Sequence, residues 1–418
     1  MIIPSIDLMN GRAVQLRHGR KFVLDGGDPF ERLEQFAVAG EVAVVDLDAA
    51  LGQGSNADLI RAMVQRAPCR VGGGIRSLDA ARAWLDAGAR RVVIGTAATP
   101  EFCAQLPRDR VIAAVDAEHG TVVVEGWRTN TGATVTERIA ELAPSVGGFL
   151  FTQVEHEGAM AGFDLEAVRD AVAAAGTARV TAAGGITTAD EIAALDALGA
   201  DAQIGMALYT ERLTLGEAVA ASLKPSPPGE IWPTVVCDEL GHTLGLVWST
   251  RESLERAVAE RRGIYWSRSR AALWVKGETS GNTQELLRVD LDCDRDALRF
   301  TVRQHGVGFC HLERPSCWPD SFDLGVLERV IQDRSDRAEP ASGTARLLAD
   351  RELLGAKLRE EAAELAGATT TDEAVHETAD LFYMGLVALV RAGGSLADVV
   401  AELERRHGAV SRRPMVAK

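Results

Sequence analysis

Three groups of residues have types and spacings suited to chemistry. Near residue 300, Asp292, Asp294 and Asp296 alternate within VDLDCDRDAL, and Cys293, Cys310 and Cys317 crowd the same segment. If the segment is extended, the three carboxylates project from one face and Cys293 from the other. Clustered carboxylates repel unless a cation holds them, and hard oxygen ligands suit Mg²⁺. An EF-hand is excluded, because its sixth and twelfth loop positions fall on Ala297 and Arg303 instead of Gly and Glu. Three soft thiolates match a catalytic zinc site that keeps its fourth position for water; ordinary buried thiols are the alternative.

Farther along, KLREEAAELA sets Glu361 and Glu364 on one helical face beside Glu360, and HETAD sets Glu377 and Asp380 three residues apart on a second helix. A solvated acidic surface accounts for the first helix alone. Glu377 and Asp380 open the apolar run LFYMGLVALV, where unpaired carboxylates are expensive to bury. Facing pairs on two helices make an oxygen-rich Mg²⁺ site suited to a polyphosphate.

In the first half, Asp7 and Asp116 close apolar runs. A facing pair of carboxylates at the C-terminal ends of parallel strands suits general acid and general base roles; solvated strand-end aspartates or helix caps are the alternative. Asp46 and Asp48 read equally as core-edge groups tied to loop backbone. Gly72-Gly73-Gly74 and Gly184-Gly185 each follow a strand-like run and precede a helical one, each backed by an Ile-Gly at Gly95 and Gly205. Glycine lets backbone N–H groups approach an anion, and a helix N-terminus favours it. Two such loops imply a substrate with a phosphate at each end, although either alone could be a tight turn.

The elements that must position these groups follow from periodicity. Residues 1–223 alternate β-branched runs (MIIPSI, VAVVDLD, RVVIGT, VIAAVDA, GGFLFT, ARVTAAGG, AQIG) with Ala-rich helical patterns, which predicts a parallel sheet covered on both faces. An internal repeat selects a (β/α)8 barrel over a doubly wound sheet. It separates Gly73 from Gly184 by 111 residues, Gly95 from Gly205 by 110 and Asp7 from Asp116 by 109, as in a duplicated half-barrel. KPSPPGEIWP (224–233) has the composition of a linker. Residues 234–320 then predict a small α+β metal-binding domain, and 321–418, beginning near Ser321, an all-α domain.

The 418 residues suit several domains, with 46% hydrophobic content for their cores. Forty-five basic against 60 acidic residues give a net charge of −15, which argues against a nucleic-acid binder. No apolar run is long enough to span a bilayer and MIIPSIDLMN lacks signal-peptide character, so a cytoplasmic protein is expected.

IDLMNGRAVQL, VGGGIRS, AAVDAEHGTVVVEGW, AAGGITT and IGMALY resemble the isomerase of histidine biosynthesis that converts ProFAR, a bisphosphorylated aminocarboxamide ribonucleotide, from aldose to ketose. The resemblance implies a cofactor-free Amadori rearrangement. Asp7 and Asp116 match the base and acid, Thr152 the strand-six threonine and Arg76 the arginine after the first phosphate loop; Gly73, Gly74, Gly95, Thr96, Gly184, Gly185 and Gly205 match phosphate-binding positions. Gln15, Gln153 and Glu157 depart from the usual residues, which raises altered or dual specificity, for instance toward phosphoribosyl anthranilate.

YWSRSRAALWVKGETSGNTQ, VDLDCDRDAL and FCHLERPSCW resemble phosphoribosyl-AMP cyclohydrolase, which hydrolyses the adenine N1–C6 bond. This implies zinc on Cys293, Cys310 and Cys317 with ligands shared across a homodimer, Mg²⁺ on Asp292, Asp294 and Asp296, and phosphate contacts from Ser267, Arg268, Ser269, Arg270, Lys276 and Ser280. His311-Leu312-Glu313 departs from the family's His-Thr-Gly, and the Cys293–Cys310 gap is one residue longer than usual. The E-E-x-x-E and E-x-x-D pattern, with TARLL and ADLFY, resembles phosphoribosyl-ATP pyrophosphohydrolase, although Gly343 and Met384 replace its usual Tyr and His. This implies Mg²⁺ on Glu361, Glu364, Glu377 and Asp380. The combined expectation is a trifunctional histidine-biosynthesis enzyme acting on phosphoribosyl nucleotides, including phosphoribosyl-ATP, and dimerising through its second and third domains. One module serving only as a silent dimerisation scaffold is the rival.

Overall fold

A computed structural model describes the chain except residues 18, 20, 161, 225–229, 320–321, 338–341 and 412–418. The middle of the expected linker and the expected boundary at Ser321 lie outside the described residues. Two compact units result, one of Met1–Asp238, Thr243–Cys317 and Arg405–Lys418, the other of Glu239–His242 and Trp318–Glu404.

The first unit opens with twelve strands: β1 (Ile2–Met9), β2 (Arg12–Arg17), β3 (Lys21–Gly27), β4 (Val42–Asp46), β5 (Cys69–Gly72), β6 (Arg91–Ile94), β7 (Val111–Glu118), β8 (Thr121–Val124), β9 (Thr129–Thr134), β10 (Gly148–Gln153), β11 (Arg179–Ala183) and β12 (Asp201–Ile204). Eight of them, β1, β4, β5, β6, β7, β10, β11 and β12, pair in parallel, and β12 returns to β1 to close an eight-stranded barrel. Each half inserts an antiparallel hairpin after its first barrel strand, β2–β3 after β1 and β8–β9 after β7. The duplication therefore extends beyond the glycine loops to the order of the strands. Helices begin at side-chain caps. Ser77 caps Leu78–Ala87, and Thr134 with Glu137 and Thr188 with Glu191 form capping boxes, which fixes where each strand-to-helix loop ends.

Toward the N-terminal ends of the strands, the Arg70 guanidinium donates to Thr181 Oγ1 at 3.0 Å and to Glu41 at 2.7 Å; Arg91 also reaches Glu41. Burial opposes ionisation of Glu41, but the two guanidiniums outweigh it and hold the carboxyl below its usual range.

A second sheet follows: β13 (Trp232–Cys237), β14 (Thr243–Ser249), β15 (Ile264–Ser267), β16 (Ala272–Val275), β17 (Gln284–Leu291) and β18 (Leu298–Gln304), ordered β16-β15-β14-β13-β18-β17. Only β13 and β18 pair in parallel. β13 starts inside the Pro- and Gly-rich stretch, because Trp232 is an apolar anchor, fully buried with its indole N–H on the Lys224 carbonyl at 2.7 Å. Pro233 is tolerated because pairing with β18 begins one residue later, at Thr234. The helix Arg251–Glu260 crosses the barrel's Leu215–Ala220 at Gly216, where a Cβ would lie 2.6 Å from Glu255 Cα. Barrel and second sheet share one continuous apolar core.

The second unit contains the helices Leu324–Arg337, Gly343–Ala349, Arg351–Gly367 and Thr371–Arg391, around a core of its own formed by Ile331, Leu347, Leu354, Leu386 and Val387. Among the described residues no single helix is long and apolar enough to cross a membrane.

Candidate active sites

β-Register brings the barrel carboxylates to one mouth. Asp7 stands near the end of β1, and Asp116 of β7 lies directly across from Thr152 of β10. The Trp127 indole N–H donates to Asp116 Oδ2 at 2.9 Å, and Thr152 bonds the same carboxylate. Burial outweighs both bonds and lifts Asp116 above the usual carboxylate range. Burial alone pushes Asp7 up to about 7. Glu157 is also pushed up to about 7, by burial and then by the charges of Asp7 and Asp116. Asp7 and Glu157, each raised to about 7, can both gain and lose protons near neutral pH, and Asp116 is raised in the same direction.

The cavity beside Asp7 is bordered by Gln15, Glu157, Gly184, Gly185, Gln203 and Gly205, so the second glycine loop and the two carboxylates Asp7 and Glu157 open on the same space. All four loop glycines have positive φ, +94° and +70° for Gly73 and Gly74, +95° and +83° for Gly184 and Gly185. A Cβ at Gly73 would lie 2.2 Å from the Asp46 carbonyl oxygen, and one at Gly184 2.6 Å from that of Gln153. Each loop thus folds against the end of the preceding barrel strand, which explains its glycines whether or not an anion binds. Gly95 has no such crowding, whereas a Cβ at Gly205 would meet Ser5 Oγ at 2.8 Å. Thr96 accepts the Glu125 amide at 3.1 Å. Arg76 donates to the carbonyls of Ala49 and Ala50. Asp46 and Asp48 are bound by backbone amides and Asn56.

Of the three departures, Gln15 is buried against Gly205 and lines the cavity, as does Glu157. Gln153 does neither. Its amide donates to the Asp164 carbonyl at 3.0 Å and accepts the Asp164 N–H at 2.7 Å, clamping the loop after β10. Sequence reasoning passed over Trp127, whose signal was a lone indole at a Gly-flanked hairpin tip. It also passed over Tyr209, whose buried hydroxyl has no hydrogen-bond partner among the described residues and feels the charge of Asp7.

In the second sheet, Ser267, Arg268, Ser269 and Arg270 form the β15–β16 hairpin tip. Arg268 stacks 4.2 Å over Trp248, Arg270 donates to Ser267 Oγ at 3.1 Å, and Ser267 and Ser269 hydroxyls lie 3.5 Å apart. Ser280, exposed in the loop after β16, accepts the Asn282 amide. Lys276 is buried, its ammonium 5.7 Å from the Phe309 ring centre; desolvation lowers its pKa, against the pull of Cys317 and Cys310. Cys310 and Cys317 are hydrogen-bonded neighbours, and burial followed by Cys310 raises the Cys317 thiol. Cys293 is exposed beside Asp294, and the three thiols are not among the close-set ligand groups of the described residues.

The conditional extended geometry for Asp292–Asp296 is not met. β17 ends at Leu291, and the segment is a turn in which Asp292 Oδ1 accepts the Asp296 and Ala297 amides, both at 3.0 Å. Those two amides satisfy a backbone that would otherwise have continued the ladder. The turn still gathers Asp292, Asp294 and Asp296, one oxygen of each within 4.8 Å of the others, and the Asp294 charge raises Asp296. A donor set of three crowded carboxylate oxygens fits a hard cation, and the Cys310–Cys317 pair fits a soft one.

In the helical unit, Glu361, Glu377 and Asp380 gather in the same way, and Glu364 hydrogen-bonds Glu377. Among the described residues Glu377 Oε2 is buried without a hydrogen-bond partner, and desolvation and then Glu364 raise its pKa. An orphaned carboxylate oxygen among carboxylates is what a Mg²⁺ ion would satisfy. Lys357 already pairs with Glu360 at 2.8 Å and lies 3.9 Å from Glu361.

Comparison with known proteins finds three successive family matches along the chain. The model of the phosphoribosyl-AMP cyclohydrolase family matches residues 245–319, and that of phosphoribosyl-ATP pyrophosphohydrolase matches 324–407. A histidine biosynthesis trifunctional protein of Komagataella pastoris is 44% identical over 208 residues, 50% of this chain and 25% of that protein. A histidine biosynthesis bifunctional protein of Schizosaccharomyces pombe is 41% identical over 208 residues, half of each. A phosphoribosyl imidazole-4-carboxamide isomerase of Methanocorpusculum labreanum is 35% identical over 237 residues, 53% of this chain and 99% of the relative. The alignments thus span about a quarter of the trifunctional relatives. With its family model matching residues 1–214, just over half its length, the chain belongs to the histidine biosynthesis protein family.

Proposed function

We propose that the chain is a trifunctional histidine-biosynthesis enzyme. It removes pyrophosphate from phosphoribosyl-ATP in the helical unit, opens the purine ring of phosphoribosyl-AMP in the second sheet, and isomerises ProFAR in the barrel. The observation that carries the reading is the succession of three chemically distinct carboxylate sites on segments resembling three enzymes in that order.

In the barrel, protonated Asp116, oriented by Trp127 and Thr152, delivers a proton to the ribose ring oxygen as the ring opens. Asp7 then takes the C2 proton, leaving an enolamine that becomes the ketose. A base titrating at about 7 suits that exchange at neutral pH. The glycine loops at Gly73–Gly74 and Gly184–Gly185, with Gly95, Thr96, Gly205 and Arg76, bind the two phosphates. Gln15 and Glu157 set specificity.

In the second domain, Cys310 and Cys317, with a Cys293 supplied across a homodimer, would hold zinc, which would lower the pKa of the attacking water. Lys276, Ser280 and the hairpin Ser267–Arg270 bind phosphate, and Asp292, Asp294 and Asp296 hold Mg²⁺. In the helical unit, Glu361, Glu364, Glu377 and Asp380 would hold Mg²⁺, which would activate the attacking water for release of pyrophosphate. Exposed Val375, Phe382 and Leu403 support a dimer, and the net charge of −15 disfavours nucleic-acid partners; the reading also takes the enzyme as cytoplasmic and without membrane partners.

Conversion of phosphoribosyl-ATP by the intact chain, with pyrophosphate, ring-opened product and ketose each followed, tests the reading. Asp116→Asn is expected to halt at ProFAR; normal ketose formation by that variant would overturn the barrel assignment.

A further inference from the structure

The carboxylate turn of the second domain is fastened to the barrel. Arg295, in the middle of Asp292–Asp296, has φ +69°, a left-handed conformation that a side-chain-bearing residue keeps only where its surroundings hold it. Two barrel-side contacts hold it. The Arg295 carbonyl accepts the Lys224 amide at 3.0 Å, and its half-buried guanidinium donates to Asp196 Oδ1 at 2.9 Å, at the end of the barrel helix Ala189–Ala197. Asp196 is itself anchored, 3.4 Å from the Met1 ammonium, whose other partner is Asp201 of β12 at 2.9 Å. The crossing at Gly216 and the shared core also join the two domains.

We infer that Arg295 is a positioning residue: pinned through its carbonyl by Lys224 where the chain leaves the barrel and through its guanidinium by the barrel's Asp196, it sets the shape of the turn that presents Asp292, Asp294 and Asp296. The barrel is then a structural part of the cyclohydrolase metal site. This rests on the reading above that the turn holds a divalent cation. A side chain that orients ligands without touching the ion typically changes metal affinity ten- to a hundredfold when removed.

The test measures Mn²⁺ binding to the intact chain from the loss of the free-ion paramagnetic signal. A Glu361→Gln, Glu377→Gln background keeps the helical unit from contributing. Arg295→Ala and Asp196→Ala are each expected to weaken binding at least about tenfold, Arg295→Lys to recover most of it, and Asp196→Ala to leave ProFAR isomerisation unchanged. If Arg295→Ala unfolds the chain, Arg295→Lys and Asp196→Asn carry the comparison. Unchanged Mn²⁺ affinity in Arg295→Ala, alongside lost binding in Asp294→Asn, overturns the positioning role. Unchanged affinity in Asp294→Asn as well overturns the metal reading and the inference with it.

Discussion

Replacing Asp7 by Asn should make the protein more stable as it destroys isomerisation, and the gain should depend on pH in a defined way. Burial raises Asp7 from 3.8 to about 7, so the folded state holds a proton that the unfolded chain has already released. Below about pH 4 both states are protonated and the aspartate costs nothing. Between pH 4 and 7 the unfolded state is favoured progressively, and above 7 the penalty is constant. Three pKa units set a ceiling of about 4 kcal/mol, which solvent at the open mouth reduces to about 1–2 kcal/mol. For a domain of this size that is a rise of about 3–6 °C in melting temperature at pH 8, shrinking toward zero at pH 4. Glu157 is raised partly by Asp7, so Glu157→Gln added to Asp7→Asn should yield less than the sum of the two. Thermal melts of the intact chain across pH 4–8, with circular dichroism of barrel helices as probe, measure both. A variant whose stabilisation is equal at pH 4 and 8, or negative at 8, would refute the placement of a desolvated, unpaired carboxylate at this position.

Gly73→Ala should destabilise the barrel by about 2–4 kcal/mol in urea unfolding, since positive φ and the Asp46 carbonyl both exclude its Cβ, whereas Gly95→Ala, with open space, should change stability by less than about 0.5 kcal/mol. Gln153→Ala should cost about 1–2 kcal/mol and speed hydrogen exchange in residues 154–164, because two bonds to Asp164 are lost. Saturating Mg²⁺ should raise the melting temperature of the helical unit, and Glu377→Gln, which removes the buried unpartnered oxygen's charge, should abolish that rise. EDTA should stop release of pyrophosphate from phosphoribosyl-ATP while ProFAR isomerisation continues.

The barrel was legible because buried parallel strands read as near-continuous apolar runs and because the duplication repeats at one period. The hairpins β2–β3 and β8–β9 escaped because β3 and β9 are polar and largely exposed, and β2 and the four-residue β8 are too short to stand out beside them. Candidate carboxylates were visible as residue types at strand and helix ends. What spacing could not reveal was which of them meet. Glu157 entered the mouth through a loop conformation, Trp127 through the left-handed backbone of a hairpin tip at φ +64°, and Gln153 turned away to hold a loop. The carboxylate turn escaped for the same reason, since its shape depends on an amide cap at Asp292 and on contacts with residues as distant as Asp196.

The Arg70–Thr181 bond joins two residues at the same position of the repeat, 111 residues apart, so the halves of the barrel are no longer copies at their contact. One half supplies a cation, the other a neutral acceptor, and the compensating Glu41 belongs to the half that carries the arginine. A barrel assembled from two first halves would set guanidinium against guanidinium in a dry interior, and one from two second halves would leave both threonines without the donor. The two halves have become lock and key for each other, and ancestral symmetry survives in the chain path but not in the charge.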